Sequence, residues 1–208
     1  MRGVPQGAIL RHGVPGGSHY LGHMEECFDV IADRVLAGDV HKDDSSGEYV
    51  LKDYVGVCTA KYGALDERTL EGQRIFGSFL RLLGRLEEAK VLLLAARKGF
   101  QDSFGSRHAG TLVCMSDLAS LLKDQGKLDE AEPLMLEELE ARRATLGPQH
   151  PNTLTSMGNL AFLLQAQGKL DEAKPLMVEA LEAKRDTLGP NHPGTLASMN
   201  NLGELLLV

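Results

Sequence analysis

The stretch Thr153–Gly194, TLTSMGNLAFLLQAQGKLDEAKPLMVEALEAKRDTLGPNHPG, decides the fold, because the chain repeats it. Thr111–Asn152, TLVCMSDLASLLKDQGKLDEAEPLMLEELEARRATLGPQHPN, is nearly the same text at an offset of 42 residues. Thr69–Gly110 carries a looser copy at the same offset, and Thr195–Val208 begins another. A fixed period in this range marks stacked supersecondary units, none of which can bury its apolar surface alone.

Within the clearest copy the apolar residues fall at helical spacing. Pro151 suits the first position of a helix, where a missing N–H costs nothing. Leu154, Met157, Leu160, Ala161 and Leu164 then recur three and four apart and predict an amphipathic helix, here helix A. Gly168 ends it. Helix B starts near Leu170, with Asp171 and Glu172 in its first turn and Lys184 and Arg185 in its last, both suited to the helix dipole. Leu170, Ala173, Met177, Ala180 and Leu181 form its apolar stripe, and Gly189-Pro190 stops it. Pro133 and Pro175 lie about one turn into helix B, where proline forfeits a hydrogen bond and bends the helix. Small residues match across the two helices: Ala119 with Ala131, Ala161 with Ala173, and Gly77 with Ala89 in the looser copy. They let helices A and B approach closely.

Upstream the text changes. Residues 1–23 hold eight Gly and Pro residues and read as a flexible tail without the apolar core of a signal peptide. His12, His19 and His23 have no rigid element to hold them on a metal. Residues 24–68 read as a worn helical hairpin. Met24, Cys27, Phe28, Ile31, Ala32 and Val35 share a helical stripe, Gly38–Gly47 reads as a polar loop, and Tyr49–Tyr62 as a second helix. The units are therefore 24–68, 69–110, 111–152 and 153–194, with 195–208 as the helix A of an incomplete repeat.

Composition narrows the function classes. Apolar residues make up 43% of the 208, but aromatics only 5% with no Trp, so Leu, Ala and Met must fill the core. The net charge is −7, unevenly spread: +3 over Thr69–Gly110 and −4 over Thr111–Asn152. Neither the sum nor any dense basic stripe suggests nucleic acid. No run approaches the roughly 18 apolar residues of a membrane span. Cys27, Cys58 and Cys114 share no metal or redox spacing and read as reduced thiols, Cys114 as a small core hydrophobe. A cytoplasmic location follows.

The phrases Asn159-Leu160-Ala161, Gly168-Lys169-Leu170-Asp171-Glu172-Ala173-Lys174-Pro175-Leu176, Glu179-Ala180-Leu181 and Leu188-Gly189-Pro190-Asn191-His192-Pro193 resemble the tetratricopeptide repeat (TPR). That helix–turn–helix unit is usually about 34 residues long. The longer version here is similar to the repeats of kinesin light chains. The likeness is strong over Thr111–Val208, fair over Thr69–Gly110 and weak before it. It implies an all-α, right-handed α-solenoid of TPR helix-turn-helix repeats.

Several conspicuous residues read as architecture. His108, His150 and His192 are spaced by the period, so each belongs to a different unit. Helices pack about 8–10 Å apart, and imidazoles so spread cannot meet on one metal at about 2 Å. A fourfold Thr69, Thr111, Thr153 and Thr195 is no single nucleophile. The acid pairs Asp129-Glu130 and Asp171-Glu172 recur at a helix start and complement the dipole. Gly147-Pro148 and Gly189-Pro190 lack the consecutive N–H groups that a phosphate needs. No catalytic residue, metal site or cofactor is assigned, and the chain is not expected to be an enzyme.

Function is expected where the copies differ. Stacked pairs curve, with helix A on the inner face. In the TPR family that groove binds peptide segments of partners, and the Asn before the Leu-Ala pair bonds the peptide backbone. The resemblance places this role on Asn159 and Asn201; the other copies have Asp117 and Ile75 there. A carboxamide suits the task, since it both donates and accepts without charge. Arg74, Ser78, Arg81, Ser116, Ser120, Lys123, Phe162, Gln165 and Asn200 are further groove candidates. Of these Arg74, Arg81 and Lys123 favour an acidic peptide and Asp117 opposes one.

Helix A at 195–208 has no helix B, so Leu202, Leu205, Leu206 and Leu207 are expected to leave apolar surface open. Either the chain is a fragment of a longer array or this uncapped helix self-associates. The expected role is a non-catalytic scaffold that binds short peptide segments of other proteins. The alternatives are a kinesin-light-chain-like cargo adaptor or a spacer and oligomerisation segment of a larger signalling protein. No N-terminal heptad stretch is present to join a motor chain.

Overall fold

The computed structural model describes residues 18–41 and 44–206. Among them are nine α-helices and no strand: α1 (Ser18–Leu36), α2 (Ser45–Tyr62), α3 (Glu67–Leu82), α4 (Leu86–Phe104), α5 (Ala109–Asp124), α6 (Leu128–Leu146), α7 (Pro151–Ala166), α8 (Leu170–Leu188) and α9 (Pro193–Leu206). Each helix packs on the next in sequence, so the hairpins α1/α2 to α7/α8 stack as an all-α solenoid that α9 extends. The tail to residue 17, with His12, lies outside the described residues, as do Leu207 and the side chains of His19 and Leu206.

The clear repeats end and start where their sequence predicts. Helix α7 begins at Pro151, and Gly168, at φ +76°, turns the chain into α8. Gly189, at φ +91°, closes α8. These left-handed conformations are ones glycine adopts without a Cβ penalty.

The periodic threonines and histidines form one device. Thr69, Thr111, Thr153 and Thr195 each donate a 2.8 Å hydrogen bond to a glycine carbonyl six residues back, at Gly63, Gly105, Gly147 and Gly189. The bond ties the start of each helix A to the end of the preceding helix B. His108, His150 and His192 accept at Nδ1 from the N–H of Gly110, Asn152 and Gly194 at 3.1–3.2 Å. They satisfy an orphan donor of the first turn, as an Asp or Ser cap would. Asp66 does the same for α3, taking the Arg68 N–H at 3.0 Å.

The core is two main clusters. One joins α5–α9 through Leu160, Leu163, Met157 and Ala173. The other joins α1–α5 around Phe79, Leu51 and Ile31. Ala119, Ala131, Ala161, Ala173 and Ala89 are all 0% exposed. A Cβ added at Gly77 would lie 2.8 Å from Leu93 Cγ and 3.3 Å from the Ala89 carbonyl, so α3 and α4 touch closely at the small-residue place. Replacing Ala161 by Leu should overpack the matching seam between α7 and α8 and destabilise the chain by roughly 1–3 kcal/mol. A urea melt in which Ala161→Leu is neutral would refute the packing.

The first hairpin departs from its expected bounds. Helix α1 begins at Ser18, within the segment read as tail, and α2 begins at Ser45, within the segment read as loop. Asp44 caps α2 by accepting from the Gly47 N–H at 2.9 Å. Ser45, Ser46 and Gly47 look like loop residues, yet this cap makes them a first turn. The predicted stripe of α1 holds: Met24, Phe28, Ile31 and Val35 are buried, and Phe28 stacks on Tyr54 of α2 with centroids 3.9 Å apart.

The end of the chain also differs from expectation. Leu202 and Leu205 do not open to solvent; they pack into the cluster shared with α8, and Leu205 is 4% exposed. The exposed apolar residues of α9 are Leu196 (46%) and Met199 (38%). Their counterparts one period earlier, Leu154 and Met157, are buried beneath α8. The face of α9 that a following helix B would cover is therefore bare.

Candidate functional site

Successive A helices approach one another directly, α1 with α3 and α3 with α5, which puts them on the inner side of the stack. The inner face is closed between α3 and α5. Arg74 donates to Asp117 at 2.8 Å and to both oxygens of Glu71 at 2.8 and 2.6 Å. Ser78 donates to Asp117 at 3.1 Å, and Arg81 to Asp124 at 2.5 Å. Arg74 is only 5% exposed. Burial works to lower its pKa, but Glu71 and Asp117 more than offset it and hold the guanidinium above its ordinary value. Arg74 and Arg81 were expected to offer charge to an acidic ligand; both are instead paired within the chain. Ile75, the Asn159 counterpart in α3, is buried at 1% exposure.

The same face opens between α7 and α9. The place of Arg74 is held by Gly158 two periods on, and the space a Cβ would take there is empty. A cleft of about 180 Å³ results, walled by α7, α8 and α9. Asn159 and Phe162 come from α7, Ala180 and Lys184 from α8, and Ser198 and Asn201 from α9. Asn159 and the 43%-exposed Phe162 stand open to solvent, and Asn201 is half-buried. The structure thus brings together Asn159, Asn201 and Phe162. Besides the paired Arg74, Ser78 and Arg81, the remaining candidates lie outside the cleft: Asn200 and Lys123 are exposed elsewhere, Gln165 is half-buried on α7, and Ser116 and Ser120 are half-buried on α5.

From the sequence Lys184 carries only a helix-dipole role, and neither Ser198 nor Gly158 stands out. Lys184 donates to Ser198 Oγ at 2.9 Å, and Ser198 in turn donates to the Gly194 carbonyl at 3.1 Å. Burial draws the Lys184 ammonium below the ordinary lysine value. The signal was present in the columns one period apart: Lys184 stands where α6 has Arg142, and Ala180 where it has Glu138.

Other features offer less. A larger cleft, about 390 Å³, lies beside the α4–α5 turn, and Arg107, Glu137 and Glu140 are among the residues lining it. Cys58 and Cys114 are buried free thiols, and burial pushes Cys114 up to about 12, far from a reactive thiolate. Among the described residues no three His, Cys, Asp or Glu side chains are placed to hold a metal ion, and no helix is long and apolar enough to cross a membrane.

Known folds share this arrangement. Two crystal structures of the nearly identical TPR-like repeats of a kinesin light chain candidate from Podosopora anserina superpose with TM-scores of 0.76 and 0.75, each at 22% identity. They cover 92% and 90% of this chain, which spans 88% and 87% of theirs. BtubC (BKLC) from P. vanneervenii superposes at 0.74 with 19% identity, over 90% of this chain and 73% of its own. At these identities the likeness is one of fold. No curated protein sequence matches. The tetratricopeptide repeat profile matches residues 68–144, 117–186 and 155–207. With that profile spanning most of its length and helix pairs recurring every 42 residues, the chain belongs to the tetratricopeptide repeat family of protein-interaction scaffolds.

Proposed function

We propose that the chain binds peptide segments of partner proteins in the cleft between α7 and α9, and so acts as a non-catalytic adaptor. The observation that carries this reading is the meeting of Asn159 and Asn201 at one opening beside an exposed Phe162. Two carboxamides can satisfy the N–H and C=O groups of a bound backbone, and the ring offers apolar contact to its side chains. Paired or filled inner surface between α3 and α5 favours the C-terminal half as the binding region. Affinity near micromolar, about −8 kcal/mol, is expected for so small a contact.

Short random peptides selected on the chain and titrated by calorimetry test the proposal. Each carboxamide contributes roughly 0.5–1.5 kcal/mol, so Asn159→Ala with Asn201→Ala should weaken binding about tenfold. Full affinity in the double variant would remove the asparagines from the site and leave the spacer reading ahead.

The bare Leu196 and Met199 favour a second reading, in which α9 pairs with α9 of another copy. Sedimentation equilibrium should then show a dimer that Met199→Lys dissociates. A monomer at all concentrations would dismiss it.

A further inference from the structure

The seam between each helix B and the next helix A carries one three-residue column, repeated every 42 residues: Tyr54, Cys58 and Gly72; Ala96, Phe100 and Cys114; Glu138, Arg142 and Ser156; Ala180, Lys184 and Ser198. Each of the first three sets is self-complementary. A Cβ at Gly72 would lie 3.0 Å from the Tyr54 ring, so that seam is filled by the aromatic. Ala96, Phe100 and Cys114 form an apolar cluster with Leu70. Glu138 takes a hydrogen bond from Arg142 and a second from Ser156 at 2.9 Å, within a buried seam. The fourth set keeps the cation and the hydroxyl but has lost the carboxylate. Ala180 stands in place of the glutamate, and none of the residues lining the cleft is acidic. The opening of about 180 Å³ includes the space beside Ala180.

We propose that this cleft is a seat for one carboxylate of a partner peptide: an Asp or Glu side chain that binds Lys184 and Ser198 in the space Ala180 leaves. The preceding repeat shows the geometry such a group would take, because Glu138 bonds the Ser156 hydroxyl and its neighbouring cation in the same column. Lys184 has a hydroxyl for a neighbour and no carboxylate, so a charged partner is the missing complement. Leu154 and Met177 give the ligand's methylenes apolar walls. Asn159 and Asn201 remain free for its backbone. The seat is built from helix B and adds a side-chain preference to the asparagine pair. It rests on the groove reading above.

The test uses the same selected peptides, each remade with its Asp and Glu residues as Asn and Gln. They are titrated against the wild-type chain and against Ala180→Glu, Lys184→Gln and Asn159→Ala. Ala180→Glu supplies the carboxylate from within and so occupies the seat. The expected result is one acidic position per peptide whose amide twin binds about tenfold more weakly. Ala180→Glu should weaken the acidic peptide by a similar factor and leave its amide twin unchanged. Circular dichroism reports whether that variant folds; if it does not, Lys184→Gln replaces it with the same expectation. Peptides that lose affinity with Asn159→Ala but bind Ala180→Glu or Lys184→Gln undiminished would overturn the seat and leave the groove standing. Failure to select any peptide would overturn both.

Discussion

Arg142→Met is expected to be among the most damaging single substitutions in the chain, costing roughly 3–5 kcal/mol in urea unfolding. The Arg142 and Glu138 side chains are only 10% and 4% exposed, and Ser156 donates to the same carboxylate. Removing the cation strands a carboxylate that water cannot reach. Burial already pushes the Glu138 carboxyl above its ordinary value, against the pull of Arg142 and Ser156. Without Arg142 it rises further. A carboxyl with a raised folded pKa contributes stability below its unfolded value, and that contribution is lost as pH rises through the folded value. The deficit of Arg142→Met relative to wild type should therefore be smallest near pH 4 and grow toward neutrality. A deficit independent of pH would mean the stranded charge is not its cause. The triple change Glu138→Ala, Arg142→Phe and Ser156→Cys imports the apolar column of the preceding repeat. It should restore stability to within about 1.5 kcal/mol, because a packed apolar set of similar volume replaces a buried pair at little cost.

How much of this was legible in the sequence depends on the range of each interaction. In the clearest copy the helix ends could be read directly, because Pro151, Gly168 and Gly189 act through their own backbone geometry. Ala161 and Ala173 could be placed because their positions repeat. The spacing of the histidines marks them as architecture, although their capping bond needed coordinates. What stayed hidden was pairing between units. Arg74 meets Asp117 across 43 residues, and only the stacking of α5 on α3 brings them together. Arg74 therefore looked like a free groove cation. The vacancy at Ala180 was hidden differently. Each copy read alone shows an ordinary amphipathic helix, and the lost carboxylate appears only when Ala180 is set against Glu138.

Phe79→Ala should cost about 3–5 kcal/mol, the penalty for emptying a fully buried aromatic site. The way that cost can be relieved tests the origin of the worn first repeat. Phe79 belongs to the column Phe79, Leu121, Leu163 and Leu205, each at most 4% exposed. On the preceding helix B stands the column Gly47, Ala89, Ala131 and Ala173, and Ala89 with Leu121, Ala131 with Leu163, and Ala173 with Leu205 each share a core cluster. A Cβ at Gly47 would lie 2.9 Å from the Phe79 ring, so the larger residue in α3 fits because the smaller one is in α2. Gly47→Ala alone should overpack the seam by roughly 1–3 kcal/mol, and Phe79→Leu alone should leave a void. Together they recreate the Ala–Leu pairing of the later repeats. The double variant should then be more stable than the sum of the single costs predicts, by about 0.5–3 kcal/mol. Strict additivity in a double-mutant cycle would show that the two positions do not share a contact. In that case the glycine would be no more than the loop residue it resembles in the sequence. Coupling would instead make the first hairpin a full member of the array, with the same seam filled by a different division of volume.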